Sequence, residues 1–523
     1  MHMKTHNHNV KHVDNSDISS AEWSAAMRVL QAKKVAIFIV AYNAQYFIQS
    51  VVERIPEQLI SLFSEIFIID DSSTDLTYKV AAETRGKYPH CNINVYRTPF
   101  NRGYGGNQKL GYLYCIENNY EIVILLHGDG QYAPEYLPKI LAALDGDTDA
   151  VFASRMINKT LALKGGMPLY KWIGNQILTS IENKLLGTNL SEFHTGYRAY
   201  KVSALAKIPF IYNADDFHFD TEIIVQLIAI KSKIVEISIP TFYGKEKCHV
   251  NSLQYAKNCI QSILRYHLVN IGLLYSKNFD FALFETENYQ FKKSPYSLHQ
   301  YVLRKKLNNE MITIELGANQ GVLSSQIANR VKEHWAVDIF IPHNAGKAKA
   351  LAIDLNDPFS NILPQTYFDS CFALDVIEHL NDPDHFLAEL FDIMKTGSYV
   401  YISTANIAYL PMRLLLALGQ FNYGKRGILD KSHKRLFTVG NFKRSLQSYG
   451  FKIEKVIGFS PPFTDLISAS KIMQLIEKLH AFLSRLYPSL FAYNFLVIAR
   501  RVDSIDDIFK KTIQSEGDKA EIQ

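Results

Sequence analysis

The sequence predicts an α/β protein of two domains, each built on a mainly parallel sheet. Three observations point there. At 523 residues the chain exceeds what one hydrophobic core ordinarily serves. Two stretches, starting at Lys34 and again at Met311, alternate runs of β-branched residues with helical spacing, the mark of βαβ units. In both, the strands end abruptly in acids, amides and glycines, on the carboxyl edge where open α/β sheets bind ligands.

Bulk composition narrows the class. Hydrophobic residues make up 47% and charged residues 20%, a globular balance. The net charge of +5 contains no Lys/Arg block, so it suits anionic substrates or a membrane surface, and no nucleic acid is expected. Cys91, Cys115, Cys248, Cys259 and Cys371 never form a C-x-x-C pair, which fits a reducing cytosol and opposes a disulfide framework or a structural zinc site. Residues 1–32 carry His2, His6, His8 and His12, lack the pattern of a secretory signal, and read as a mobile tail. No run of about 18 uncharged apolar residues occurs, so no spanning helix is expected. The expected location is cytoplasmic, soluble or peripheral at the inner face of the membrane.

In the first domain Val35 to Val40 reads as a buried strand ending in Ala41-Tyr42-Asn43. Helical spacing follows from Tyr46 to Leu62, with a break at Pro56. Ile66 to Ile69 is the next strand, ending in Asp70-Asp71-Ser72-Ser73-Thr74-Asp75, and Asn94 to Arg97 a third. Asn101 to Asn107, with Gly103, Gly105 and Gly106, opens the helix through Leu110 and Tyr114. Ile122 to Leu126 then delivers His127-Gly128-Asp129-Gly130-Gln131. A carboxylate, an imidazole and an amide within this pentad can hold a divalent cation, magnesium or manganese, which would neutralise a nucleotide diphosphate. The competing reading is a polar turn. Asn43, Asp70, Asp71 and Asp129 share one sheet edge, where acids can meet a ribose or a base. Singly, Asp70-Asp71 would equally serve a helix cap at Ser72 or Ser73, and the glycines a turn. Ile237 to Phe242 reads as the closing strand, Asn251 to Tyr275 as a long helix, and 276–295 as the linker.

Taken in order, these pieces resemble the GT-A glycosyltransferases of family 2, most closely the dolichol/polyprenyl-phosphate mannosyltransferase-like group. Matching stretches are Val40 to Asn43, Ile69 to Asp75, Asn101 to Gly106, the pentad, Ala153-Ser154-Arg155, Thr195 to Tyr200 and Phe217 to Glu222. The resemblance covers residues 33–275. It implies a nucleotide-diphospho-sugar held at Tyr42, Asn43, Asp70, Asp71 and Gly103, with a divalent metal on His127, Asp129 and Gln131. It also implies a polyprenyl-phosphate or glycan acceptor and an inverting displacement at the anomeric carbon. Arg155 and Arg198 would grip phosphate through their planar forks, unless they pair with Glu192 or Asp220. A phosphate acceptor needs no general base; a sugar hydroxyl does, and Glu192, Asp220 or Glu222 could supply it. Two departures stand out. His127 replaces the first acid of the group's Asp-x-Asp, which favours manganese over magnesium, and Ala44 replaces an acid near the nucleotide. A silent nucleotide-sugar-binding module is the alternative these departures leave open.

The second domain, 296–500, opens with a basic helix from Ser297 to Leu307. Met311 to Leu316 is a strand carrying Glu315, followed by the loop Gly317-Ala318-Asn319-Gln320-Gly321 and the helix Val322 to Val331. Gly317 lets a ligand approach, Gly321 lets the helix pack closely, and Asn319 is the non-glycine type that best tolerates positive φ. Asp338 ends a second strand at the spacing for a carboxylate on a ribose. Asp354 follows a third, and Phe368 to Leu374 is a fourth, ending in Asp375-Val376-Ile377-Glu378-His379-Leu380. This order resembles class I S-adenosylmethionine-dependent methyltransferases on a Rossmann-like sheet. It implies Glu315, Gly317 and Gly321 at the amino-acid end of S-adenosylmethionine, Asp338 on the ribose, Asp354 near the adenine, and Asp375 in the same cofactor site. A nicotinamide dehydrogenase is the rival. His379 and His433 are candidate bases for methyl transfer to oxygen, with a structural hydrogen bond as the alternative for each. Leu410 to Phe421 and Asp465 to Leu486 are apolar at helical spacing and suit core packing, a lid, a dimer face or an interfacial membrane helix. Phe495 to Ala499 reads as the last strand and 501–523 as a mobile tail.

Overall fold

A computed structural model describes residues 11–13, 18–240, 251–280, 294–466 and 471–503. The chain forms two compact units, Met1–Tyr266 with Ser276–Glu285, and His267–Tyr275 with Thr286–Gln523.

The first unit is an eight-stranded sheet made of β1 (Lys11–Val13), β2 (Val35–Ala41), β3 (Glu65–Asp70), β4 (Ile93–Arg97), β5 (Ile122–His127), β6 (Ala150–Ser154), β7 (Arg198–Lys201) and β8 (Ile234–Ser238). Their order is β1-β8-β6-β7-β5-β2-β3-β4. The pairings of β7 with β5 and β6 are antiparallel and the rest parallel. β2 and β3 are buried along their whole length, as continuous apolar runs between two layers must be. Register places Val40 beside His127 and Ala41 beside Asp70, so β2, β3 and β5 end level and their polar continuations share one rim.

Local chemistry accounts for the connections. Pro56 has no N–H to continue a helix, and it separates Ile48–Glu53 from Glu57–Ile60. Residues 20–32, expected within a tail, are instead the helix Ser20–Ala32. Ser19 and Glu22 close a capping box at its start, and Ala26, Val29 and Leu30 pack into the sheet's core. The closing strand lies at Ile234–Ser238, ahead of the expected Ile237 to Phe242, because parallel pairing with β6 sets its register. Thr241 and Phe242 lie outside the described residues. The helix Ser252–Asn270 buries Cys259, Ile263, Tyr266 and Val269, while Leu264 is exposed.

The second unit is a seven-stranded sheet of β9 (Ile312–Leu316), β10 (Glu333–Asp338), β11 (Lys349–Ala352), β12 (Phe368–Leu374), β13 (Met394–Ala405), β14 (Phe451–Phe459) and β15 (Asn494–Arg501). Its order is β11-β10-β9-β12-β13-β15-β14, with β15 antiparallel to both neighbours. Strand order reverses between β9 and β12, and that reversal opens a crevice at their carboxyl ends. The helix after β9 spans only Val322–Ile327, shorter than its apolar spacing suggested. The opening helix, Leu298–Leu303, is likewise short and is capped by Ser297. Residues 267–275 cluster with this unit: the Tyr493 hydroxyl donates to the Ile271 carbonyl at 3.0 Å. Ser276–Asp280 clusters with the first unit, where Gln226 Nε2 donates to the Asn278 carbonyl at 2.8 Å. The change of domain therefore does not run as the single stretch 276–295 expected from composition, and 281–293 of that stretch lie outside the described residues. The tail from 504 onward lies outside them too.

Candidate active sites

In the first unit a cavity of about 1220 Å³ opens at the level ends of β2, β3 and β5. Tyr42, Asp71, Gly103, His127, Asp129, Gln131, Arg155 and Asp220 line it together with residues that sequence reasoning missed, chiefly Tyr104, Tyr132, Asn175 and His194. Each expected residue has a definite place. Asp71 is buried, and its Oδ1 accepts from the Arg102 N–H at 2.8 Å and the Thr98 hydroxyl at 3.1 Å, so it fixes the loop before the glycine cluster. Burial raises its pKa above the ordinary carboxylate value.

Gly103 has φ +78, and an added Cβ would lie 2.6 Å from the Asp215 carbonyl oxygen. The Gly105 N–H already donates to that oxygen at 2.8 Å, so these glycines serve close packing of the helix start more than a phosphate cradle.

His127 sits at the tip of β5 between Tyr104 and Tyr132, with ring centroids 5.3 and 4.9 Å away. Its Nε2 is 3.0 Å from the Tyr104 hydroxyl, which donates its proton to Asp220 Oδ2 at 3.0 Å. A hydroxyl has one proton, so Nε2–H must be the donor to Tyr104, and Nδ1 keeps its lone pair. Burial lowers the His127 pKa and favours the neutral ring. A neutral imidazole oriented through its other nitrogen is the form that ligates metal. Asp129 holds the Gln131 N–H at 3.0 Å through Oδ1 and lines the same cavity. A divalent cation thus fits His127, Asp129 and Gln131 by donor chemistry.

The arginines took the pairing that competed with phosphate grip. Arg155 holds Glu192 with its backbone N–H at 2.8 Å and its Nε at 3.0 Å, and also bonds the His194 carbonyl at 3.0 Å. Burial alone would raise Glu192, yet Arg155 holds it below the ordinary carboxylate range. Arg155 still lines the cavity. Arg198 is fully buried, donates to the carbonyls of Thr195, Asp220 and Phe193 at 2.7, 3.1 and 2.8 Å, and is absent from the lining.

Three further residues named from the sequence are likewise held by neighbours and lie off the lining. Asp70, fully buried, accepts from Ser73 and lies 3.4 Å from Arg97 Nε, organising the turn after β3. Asn43, at φ 49, accepts from the Thr74 N–H at 3.0 Å, and neither it nor Asp70 lines the cavity. Glu222 is tied to the Ala214 N–H at 2.6 Å and the Ser262 hydroxyl at 3.1 Å, again away from the lining. Asp220 does line it, but Tyr104 at 3.0 Å and Gln108 at 3.1 Å occupy its two oxygens. The lining also has an apolar share, Tyr170, Ile177, Leu178 and Ile181 of the helix Leu169–Leu186 together with Leu253 and Ile260, beside Lys171 and Asn175 of the same helix.

In the second unit a cavity of about 370 Å³ occupies the crevice at the strand reversal. Glu315, Gly317, Asp338, Asp354, Asp375 and His379 line it. Asp338 is held by the Asn319 N–H at 2.7 Å and the Ile339 N–H at 2.8 Å, and Asn319 takes the positive φ, 50°, expected of it. Asp354 stands just beyond β11 and accepts from the Asn356 N–H at 2.9 Å. Asp375 accepts from the Ser403 hydroxyl at 2.6 Å. Gly321 stays outside the lining: at φ +86, an added Cβ would fall 2.7 Å from the Ala345 backbone, so packing is its role. Glu315 accepts from Ser324, and burial pushes its pKa up to about 8. His433 does not line the cavity, but its ring centroid is 4.8 Å from that of His379.

Both cavities lie at carboxyl edges of largely parallel sheets, where α/β enzymes bind nucleotides and nucleosides. Residues 36–209 match the family model Glycosyl transferase family 2, and residues 290–456 match a Methyltransferase domain model. The chain thus carries a family 2 glycosyltransferase domain of GT-A fold and a methyltransferase domain, and both are transferase domains. The UDP-N-acetylglucosamine–dolichyl-phosphate N-acetylglucosaminyltransferase of Methanococcus voltae is 27% identical over 221 residues, 40% of this chain and 86% of that protein. The undecaprenyl-phosphate mannosyltransferase of Micrococcus luteus is 27% identical over 186 residues, 35% of this chain and 73% of that protein. A Mycolicibacterium smegmatis protein named "Probable S-adenosylmethionine-dependent methyltransferase" is 23% identical over 174 residues, 33% of this chain and 63% of its own.

Asp338→Ala should weaken S-adenosylmethionine binding roughly ten- to a hundred-fold, since hydrogen bonds to a charged group contribute about 1.5–3 kcal/mol. Calorimetry reads that loss. Undiminished affinity would remove Asp338 from the ribose, and donor-sugar hydrolysis by the first unit should not change.

Proposed function

We propose that the first domain transfers a sugar from a nucleotide-diphospho-sugar to a polyprenyl phosphate, and that the second transfers a methyl group from S-adenosylmethionine to an oxygen of a glycan or related product. The observation that carries the sugar reading is the mixed lining of the cavity. Asp71, His127, Asp129, Gln131 and Arg155 supply polar groups, and Tyr170, Ile177, Leu178 and Ile181 of the helix Leu169–Leu186 supply apolar surface suited to a prenyl chain. A cation on His127, Asp129 and Gln131 would supply charge neutralisation to the leaving diphosphate. Tyr104 and Asp220 set the His127 tautomer, Asp71 fixes the loop at the nucleotide, and Arg155 presents a cation beside Glu192. A phosphate acceptor suits this arrangement better than a hydroxyl. Glu222 lies off the cavity, Glu192 is paired, and the Asp220 oxygens are occupied, so none stands ready as a base.

In the second domain S-adenosylmethionine would rest on Glu315, Asp338, Asp354 and Asp375, with Gly317 allowing close approach. His379 and His433 stand at the acceptor side. Nucleotide sugars incubated with manganese and polyprenyl phosphate test the first activity and report the donor. Absence of both transfer and donor hydrolysis would leave the first domain a silent nucleotide-sugar-binding module, the alternative that the His127 substitution leaves open.

A polyprenyl acceptor would bring the chain to the inner face of a membrane. No helix among the described residues is long and apolar enough to cross one. The helix Lys471–Leu486 supports peripheral contact. It buries Glu477, Ala481 and Ser484, whereas Ile472, Leu475, Ile476, Leu479, Phe482 and Leu486 are 43–68% exposed. Glu477 is tied to the Thr464 N–H at 2.8 Å, and exposed Lys471, Lys478 and Arg485 recur at seven-residue spacing along one edge of the apolar face. An apolar face bordered by cations matches an anionic lipid surface. The chain should therefore sediment with phosphatidylglycerol vesicles. The pair Leu475→Asp and Leu479→Asp should weaken binding by more than roughly a hundred-fold, given about 1.5–3 kcal/mol per buried leucine. Unchanged vesicle binding in the double variant would rule this face out, and loss of self-association in its place would make it a dimer face.

A further inference from the structure

We propose that Glu378, His379 and His433 form a binding site for a divalent first-row transition-metal ion on the acceptor side of the methyltransferase cavity. One ligand atom from each of the three lies within 4.8 Å of the others. Two segments far apart in sequence build the cluster, and the backbone locks them together. The Glu378 carbonyl accepts from the N–H groups of Lys434 and Arg435 at 2.8 and 3.2 Å.

Both imidazoles are oriented through one nitrogen. His379 Nδ1 lies 3.3 Å from the Ser432 carbonyl and His433 Nδ1 lies 2.9 Å from the Ile428 carbonyl. A carbonyl only accepts, so each Nδ1 carries the proton and each Nε2 keeps a lone pair to ligate. Anchoring of one ring nitrogen by a backbone carbonyl is how proteins prepare a histidine for metal.

The second observation concerns Glu378. It is 2% exposed, and its Oε2 has no hydrogen-bond partner. Its Oε1 receives a long contact, 3.4 Å, from the Ala405 N–H, and the Thr404 hydroxyl and the Glu378 N–H are the other donors close to the carboxylate. Buried carboxylate oxygens are ordinarily satisfied. The nearby Lys434 ammonium is turned to Asn381 Oδ1 at 2.6 Å, so it does not fill that role. Two imidazoles and a carboxylate suit zinc, iron, cobalt or manganese better than magnesium, and three protein ligands leave coordination positions open. His379 lines the cavity, so the ion would face it as a Lewis acid.

The role of the ion rests on the methyltransferase reading; its binding does not. The test uses the full chain carrying Asp129→Ala, which removes the expected metal site of the first domain. After chelation it is titrated with Co²⁺ and followed by visible absorption, without cofactor or acceptor. One Co²⁺ per chain with ligand-field bands is expected. His379→Ala and the isosteric Glu378→Gln should each weaken it at least ~100-fold, the upper end of what loss of even an outer-shell partner costs. Circular dichroism and the thermal unfolding transition report folding of each variant, S-adenosylmethionine affinity is measured separately by calorimetry, and His433→Asn provides a further variant should one fail to fold. No Co²⁺ binding, or binding unchanged by the variants, overturns the site. Co²⁺ binding without S-adenosylmethionine binding would keep the site and discard the methyltransferase role.

Discussion

Asp129→Ala should lower sugar transfer by roughly 10³-fold, the several kcal/mol that a bound divalent cation contributes to transition-state charge. Asp129 is the carboxylate of the pentad and lines the cavity beside His127 and Gln131. Its loss leaves an imidazole and an amide, too weak a set to neutralise a diphosphate. Turnover of the donor with manganese is the measurement. A loss below ten-fold would place the cation elsewhere. The companion variant His127→Asp should keep transfer and move the preference towards magnesium, because an oxygen ligand replaces nitrogen. An unchanged metal profile would place His127 outside the coordination shell.

Arg198→Met should cost the first domain about 3–5 kcal/mol, the range for removing one partner of a buried ion pair. Arg198 is fully buried 3.5 Å from Asp220 and bonds three carbonyls, so its loss leaves an uncompensated carboxylate and unsatisfied oxygens. At about 2–4 °C per kcal/mol for a domain of this size, the thermal transition should fall by roughly 6–20 °C. Calorimetric unfolding reads this. Adding Asp220→Asn should recover part of the loss, because the unpaired charge goes with it, while the carbonyls remain unsatisfied. A shift under 2 °C in the single variant would show that the pair is dispensable.

These expectations differ in how legible they were. Strand ends read well, because a parallel strand buried on both faces must be a continuous apolar run and must stop where polarity begins. Val35 to Val40, Ile66 to Ile69 and Ile122 to Leu126 follow that rule, and the polar residues after them lie on the sheet edge as expected. The Ser19/Glu22 capping box was equally visible before Ala26, Val29 and Leu30, but the histidine-rich residues ahead of it made that whole stretch read as a tail. The exposed apolar face of Lys471–Leu486 carries an ordinary helical period, and periodicity does not say whether a face meets a core or solvent.

By itself, then, the sequence determined two α/β sheets, the residue types at their carboxyl edges, and a position, Asn319, that takes positive φ. These are local properties of side-chain size, charge and backbone freedom. Only the tertiary structure decided which polar groups face a cavity and which are consumed in holding the fold. Asp70 and Asp71 are neighbours in a strand end, so their side chains leave on opposite sides: one is spent on Ser73 and Arg97, the other lines the site. Arg155 and Arg198 carry the same guanidinium, yet one borders the cavity and the other is sealed against Asp220. The meeting of Glu378 and His379 with His433 depends on two distant segments sharing a hydrogen-bonded backbone. A long-range contact of that kind leaves no local period or spacing to read.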